Sequence, residues 1–188
     1  MSNINICNLP DDLIRECVSL ALQAPSGSNV VTMGFVVVTD SEKRHAIGDI
    51  YRELFRSYAA QRVIDAGDGR AQQQKLISSS DYLADHMGDA PVLVIGVNSG
   101  VDRAAATRGM GNILPAMWSF MLAARARALG TAWTTIHLGR ERDVADLLGI
   151  PYERVAQAVM TPVAYSLGTD FKAAGRPAPD DVIHWNGW

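Results

Sequence analysis

The segment from Asn112 to Leu129 constrains this chain more than any other. It is helix-length and carries apolar residues on most faces: Ile113, Ala116, Met117, Phe120, Met121 and Ala124. A helix apolar nearly all round belongs at the centre of a fold or at a subunit interface. Gly130 stops it.

The rest of the chain supplies shorter elements. Pro10, Asp11 and Asp12 open a first helix, because proline suits the first turn and acids suit its positive end. Leu13, Ile14, Cys17, Val18 and Ala21 recur at helical spacing, and Pro25 and Gly27 end the run. A strand is predicted over Gly34 to Thr39. A second helix, capped by Asp40 or Ser41, buries Ile47, Ile50, Tyr51, Leu54 and Tyr58. Gln61 to Lys75 is polar, holds Gly67 and Gly69, and reads as an excursion and candidate lid.

A short helix near Leu76 to Met87 leads to Pro91 and a buried strand, Val92 to Val97. Ser99 to Gly111 reads as a Gly- and Arg-containing loop. Thr131 to Leu138 is a strand or extended loop, Glu141 to Leu148 a short helix, and Val155 to Tyr165 a strand interrupted at Pro162. Gly168 to Trp188 is a Pro/Gly arm ending in Trp185 and Trp188. Exposed tryptophans are unfavourable in a monomer, so they are expected to pack on the fold or on a second subunit. Alternation this loose implies an α+β or mixed α/β fold in a single domain over 1–188.

Composition narrows the function classes. The 188 residues are 48% hydrophobic and 20% charged, which favours a folded chain over a disordered one. A net charge of −3 gives no field suited to nucleic acid or an anionic membrane surface. The longest apolar runs, Met33 to Val38 and Pro91 to Val97, fall far short of the roughly 20 residues of a membrane helix. Met1 to Pro10 lacks the pattern of a secretory signal. Cys7 and Cys17 make neither a disulfide framework nor a zinc site, and a cytoplasmic location is expected.

No phosphate loop, dinucleotide fingerprint or nucleophile elbow is present. His45, His86, His137 and His184 lie far apart and form no metal pair. Two segments remain for chemistry. The turn Pro25-Ser26-Gly27-Ser28-Asn29 joins a helix to a buried strand. Its backbone N–H groups and short polar side chains can hold an oxygen-rich ligand or the edge of a planar heterocycle; it also fits a plain capped turn. In the second segment, Thr134, Thr135 and His137 alternate with Trp133 and Ile136. A ligand edge or an ordinary half-exposed strand both explain that pattern. Arg103 and Arg108 can hold an anion or remain solvated loop charges.

Taken together, five segments resemble the nitroreductase family. Leu20 to Asn29 followed by Phe35 to Asp40 resembles its first helix, ligand turn and strand. Tyr82 to Asp85 before Ala90 to Ile95 resembles its second strand, and Asn112 to Ala124 its central helix. Leu129 to Thr135 resembles the loop after that helix. Leu148-Gly149-Ile150-Pro151 and the stretch from Pro162 to Trp185 complete the order.

The resemblance implies a mixed, mainly antiparallel sheet flanked by helices, with an extended C-terminal arm. It implies a homodimer with FMN at the subunit interface, reduced by NAD(P)H and reoxidised by a nitro, quinone or enone compound in ping-pong fashion. Pro25, Ser26, Gly27, Ser28 and Asn29 then contact the ring and ribityl chain. Thr134, Thr135 and Ile136 line the flavin edge, and Arg176 helps hold the phosphate. His137 and Arg108 are the expected substrate contacts, with no catalytic residue assigned.

Three departures from the family pattern surround the phosphate and the turn. Met1 to Pro10 contains no Arg or Lys, where relatives carry an Arg-rich segment. Val30-Val31-Thr32-Met33-Gly34 stands where Gln and an aromatic are usual, and Ala173-Ala174-Gly175 precedes Arg176. Two readings follow. One is a flavin oxidoreductase whose phosphate is held by Arg103, Arg108, Lys172 or Arg176. The other is a protein of this fold that has given up FMN and binds another small molecule at the dimer interface, as a flavin-independent enzyme or a binder.

Overall fold

The computed structural model describes residues 9–65, 70–168, 173 and 175–188. The elements run α1 (Asp11–Ala21), β1 (Met33–Val38), α2 (Ser41–Asp65), α3 (Arg70–His86), β2 (Val92–Ser99), α4 (Arg103–Arg108), α5 (Ile113–Arg125), β3 (Leu129–Thr131), α6 (Glu141–Leu148) and β4 (Val155–Tyr165). The four strands form one sheet in the order β1-β2-β4-β3, with every pairing antiparallel. The fold is α+β, as the sequence predicts.

Helices cover both faces of the sheet. Alternate residues of β2 point opposite ways. Val92 and Val94 pack with α1 and α5, while Leu93, Ile95 and Val97 pack with α2, α3 and α6. Burial on both faces explains why β2 reads as a continuous apolar run. The segment around α5 is central as expected: Ile113, Ala116, Met117, Phe120 and Ala124 are fully buried. Its opposite face is not. Leu114, Trp118 and Leu122, spaced by four, stand exposed.

Several expectations need correction. Gln61 to Lys75 is helical where it is described, closing α2 and opening α3, and residues 66–69 lie outside the described residues. Phe55, not Tyr58, continues the buried stripe of α2, since Tyr58 is exposed. The stretch Ser99 to Gly111 contains α4, whose N-terminus is capped by Asp102 accepting from the Ala105 N–H at 2.7 Å. β4 runs unbroken through Pro162. The interruption falls on its neighbour instead. The position opposite Pro162 has no N–H to receive, and Ala132 N–H turns to Thr161 Oγ1 at 2.9 Å. Pairing between these strands resumes only at Thr134, whose N–H and C=O both bond Met160 at 2.9 Å.

The α2 helix meets the turn before β2 at van der Waals distance through two glycines. A Cβ on Gly48 would lie 2.8 Å from the Gly88 nitrogen. Helix propensity alone favours Gly48→Ala by about 1 kcal/mol. Backbone against backbone cannot yield cheaply, so the clash wins, and a net loss of about 1–2 kcal/mol in urea unfolding is expected. A more stable Gly48→Ala variant would contradict this packing.

Among the described residues no helix is long and apolar enough to cross a membrane. In the C-terminal arm Trp185 and Trp188 lie almost wholly exposed.

Candidate functional site

The turn from Pro25 to Asn29 leaves α1 and enters β1. Ser28 and Asn29 both adopt left-handed backbone, with φ of 53° and 57°. Asn tolerates this region; Ser does so at roughly 1 kcal/mol or more, so the surroundings must hold it there. The N–H groups of Asn29 and Val30 close a 3₁₀ turn on Ser26 and Gly27 carbonyls. The N–H groups of Ser26 and Ser28, and the side chains of Ser26, Ser28 and Asn29, bond no other group among the described residues. They remain as open donors and acceptors along an exposed edge.

The holding groups form one directional chain of hydrogen bonds. Gly27 N–H donates to Asn112 Oδ1 at 3.1 Å. Asn112 Nδ2 donates to Thr32 Oγ1 at 3.1 Å, and that hydroxyl donates to Asn98 Oδ1 at 2.7 Å. Asn98, buried in β2, passes its Nδ2 protons to the Ala106 and Ser99 carbonyls at 3.0 and 3.2 Å. Gly109 lies so close that a Cβ there would sit 2.4 Å from Asn98 Nδ2. Sequence reasoning assigned no role to Thr32, Asn98 or Asn112. The available signal was Asn98, a polar residue closing an otherwise apolar strand.

The second segment faces inward. Thr134 and His137 are buried while Trp133 is exposed, the reverse of a polar outer face. Thr134 Oγ1 donates to Tyr51 Oη at 3.3 Å and accepts from the Ile136 N–H at 3.4 Å. Burial pushes the Tyr51 phenol above its ordinary range, partly offset by the Thr134 bond. Thr134 N–H is spent on Met160. Of the three backbone donors from Thr134 to Ile136, only that of Thr135 is left open, on an exposed residue.

His137, expected as a substrate contact, lies inside the fold. It has no accessible surface, and neither ring nitrogen has a hydrogen-bond partner. Desolvation lowers its pKa to about 4, so the ring is neutral near pH 7.

The basic candidates separate by their partners. Arg103 is tied down by an ion pair to Glu141, by the Tyr152 and Val155 carbonyls at 3.2 and 2.8 Å, and by stacking on the Tyr152 ring. These contacts engage its guanidinium within the chain. Among the described residues Arg108 is exposed with no ion pair, and Arg176 reaches only the Gly175 carbonyl. Lys172 lies outside the described residues. No group of three or more His, Cys, Asp or Glu among the described residues is placed to hold a metal.

The two segments flank opposite edges of the sheet. The turn precedes edge strand β1, and the Thr134 segment follows edge strand β3. Three strand spacings, about 14 Å, separate those edges.

The comparisons agree with this architecture. The family model described as "Nitroreductase family" matches residues 8–165. No curated protein matches the chain by sequence. Among solved structures, iodotyrosine deiodinase bound to FMN and 3-iodo-L-tyrosine superposes with a TM-score of 0.75 at 18% identity, over 99% of this chain and 93% of that one. The NADPH:FMN oxidoreductase of Vibrio harveyi in complex with NAD+ gives 0.71 at 16% identity, over 99% and 72%. Nitroreductase A from Vibrio parahaemolyticus RIMD 2210633 gives 0.72 at 15% identity, over 99% and 71%. At these identities the superpositions speak for the fold.

Proposed function

The chain belongs to the nitroreductase family, and from that premise we propose that it is a homodimeric FMN-dependent oxidoreductase using NAD(P)H to reduce a small nitro, quinone or enone compound. The observation that carries the flavin assignment is the set of open polar groups at the two segments. Ser26 and Ser28 N–H, with the Ser26, Ser28 and Asn29 side chains, suit the carbonyl and N–H edge of a flavin ring and its ribityl hydroxyls. Pro25 and Gly27 shape that turn. FMN, when bound, supplies the hydride chemistry, taking two electrons from the nicotinamide and giving them to the second substrate.

The chain's own part is to bind and orient. The open Thr135 N–H is the donor suited to the reacting edge of the ring, with Thr134 and Ile136 fixing its direction. Arg108 and Arg176 remain available for the phosphate or an anionic substrate. The opposite placement of the two segments favours a site completed by a second copy. So do the exposed Leu114, Trp118 and Leu122 on α5 and the uncovered Trp185 and Trp188 of the arm.

A second reading keeps the fold and gives up FMN. One observation favours it: Arg103 is committed to Glu141, which thins the basic groups available to a phosphate carrying nearly two charges. A spectrum separates the two. The flavin reading expects a protein that takes up FMN at micromolar concentration, turns yellow and is bleached by NADPH or NADH without oxygen. A colourless protein indifferent to FMN would establish the second reading instead.

A further inference from the structure

We propose that Thr32 and Asn98 are positioning residues for the ligand turn, acting through Asn112. The inference rests on the flavin reading of that turn and adds residues that touch no ligand. Its basis is the polarity of the chain of bonds. Each member accepts on one side and donates on the other, so only one assignment satisfies them all.

Asn112 Oδ1 receives the Gly27 N–H, so its Nδ2 must donate, and it reaches Thr32 Oγ1. Thr32 has a single hydroxyl proton, and it goes to Asn98 Oδ1. Asn98 is 1% exposed, so its amide has no water to fall back on, and its Nδ2 is fixed by the carbonyls of Ala106 and Ser99. The direction is thus set at the buried end and transmitted outward. It leaves Gly27 held at the point where the next two residues, Ser28 and Asn29, take φ of 53° and 57°. Serial bonds in a partly buried setting reinforce one another, so the loss of one link loosens the rest.

The discriminating change is Thr32→Val, which keeps the β-branched shape and removes the hydroxyl. Asn98 Oδ1 then loses its donor and Asn112 Nδ2 its acceptor. Thr32→Ser restores both. Two readouts on the purified protein are compared with wild type: hydrogen exchange of the Gly27 amide by NMR without ligand, and the Kd for FMN from quenching of flavin fluorescence.

Thr32→Val is expected to speed Gly27 exchange and raise the FMN Kd, each about tenfold, the equivalent of one lost hydrogen bond. Thr32→Ser is expected to stay within about twofold of wild type on both, since it keeps the bond. If Thr32→Val does not fold, Thr32→Ala removes the hydroxyl without bulk and is judged by the same readouts. Unchanged Gly27 exchange in the hydroxyl-free variant overturns the proposal. Faster exchange with unchanged FMN affinity, or failure of Thr32→Ser to restore both, also overturns it. If wild type binds no FMN, the flavin reading fails and the exchange experiment alone decides whether the chain of bonds holds the turn.

Discussion

Replacing His137 with leucine is expected to remove about 2 kcal/mol of acid sensitivity between roughly pH 7.5 and pH 5, seen as a flatter plot of Tm against pH. The folded pKa is about 4 against 6.5 for the free side chain. A depressed histidine pKa means that the unfolded chain binds the proton first. Stability is therefore complete above the unfolded pKa and is lost as pH falls from about 6.5 toward 4.

The surroundings offer the proton no compensation. The 3₁₀ turn Ile136–Arg140 packs on α2, α6 and β4. Glu53 and Asp143, which flank it there, both pair with Arg140. Tyr51 is engaged by Thr134. Leucine also removes two buried nitrogens without partners, so the variant should be more stable at neutral pH by about 1–2 kcal/mol. Steady-state KM for the second substrate should not change, because a residue without accessible surface touches none. A KM raised tenfold in His137→Leu would restore it to the substrate site.

His137 also shows where sequence stops being informative. Periodicity identified Thr134, Thr135, Ile136 and His137 as one segment with two faces, but Thr134 and His137 turn inward while Thr135 stays exposed. Alternation says that faces differ, not which one the core takes. A Thr–Tyr hydrogen bond across 83 positions decided that here. By contrast, β2 and α5 were legible because burial on a sheet or at the centre of the fold demands a long apolar pattern, and α6 because Gly149 and Pro151 close it.

The α4 helix escaped because six residues are too few to show a period, and only its Asp102 cap sets it apart. Arg103 looked like a solvated or anion-binding charge until the fold brought Glu141 to it from 38 positions away. The turn at Pro25 to Asn29 was visible as a turn. What holds it was not, since Gly27, Thr32, Asn98 and Asn112 meet only after β1 has paired with β2 and α5 has docked.

On the proposed dimeric flavin reading, Trp118→Glu is expected to give a monomer at micromolar concentration and to abolish FMN uptake together with the dimer. Trp118 stands 56% exposed between Leu114 and Leu122 on the outer face of α5, whose inner face is the core of the fold. Covering roughly 100 Å² of that ring is worth about 2.5 kcal/mol at 25 cal/mol/Å². A twofold axis uses each patch twice, so the pair contributes about 5 kcal/mol, more than a thousandfold in Kd. A glutamate there loses this and adds two charges that the interface would have to desolvate.

The core should not notice, because the substituted side chain points away from Phe120 and Met117, which are fully buried. Sedimentation measures the assembly, and circular dichroism checks that the fold survives. The same sample titrated with FMN then tests whether the site needs both copies. Co-loss of dimer and flavin is what the proposed two-copy site expects, its two segments lying by β1 and β3 at opposite sheet edges. A monomeric variant that still binds FMN as tightly as wild type would mean that one chain suffices. A dimer that survives the glutamate would move the interface off α5.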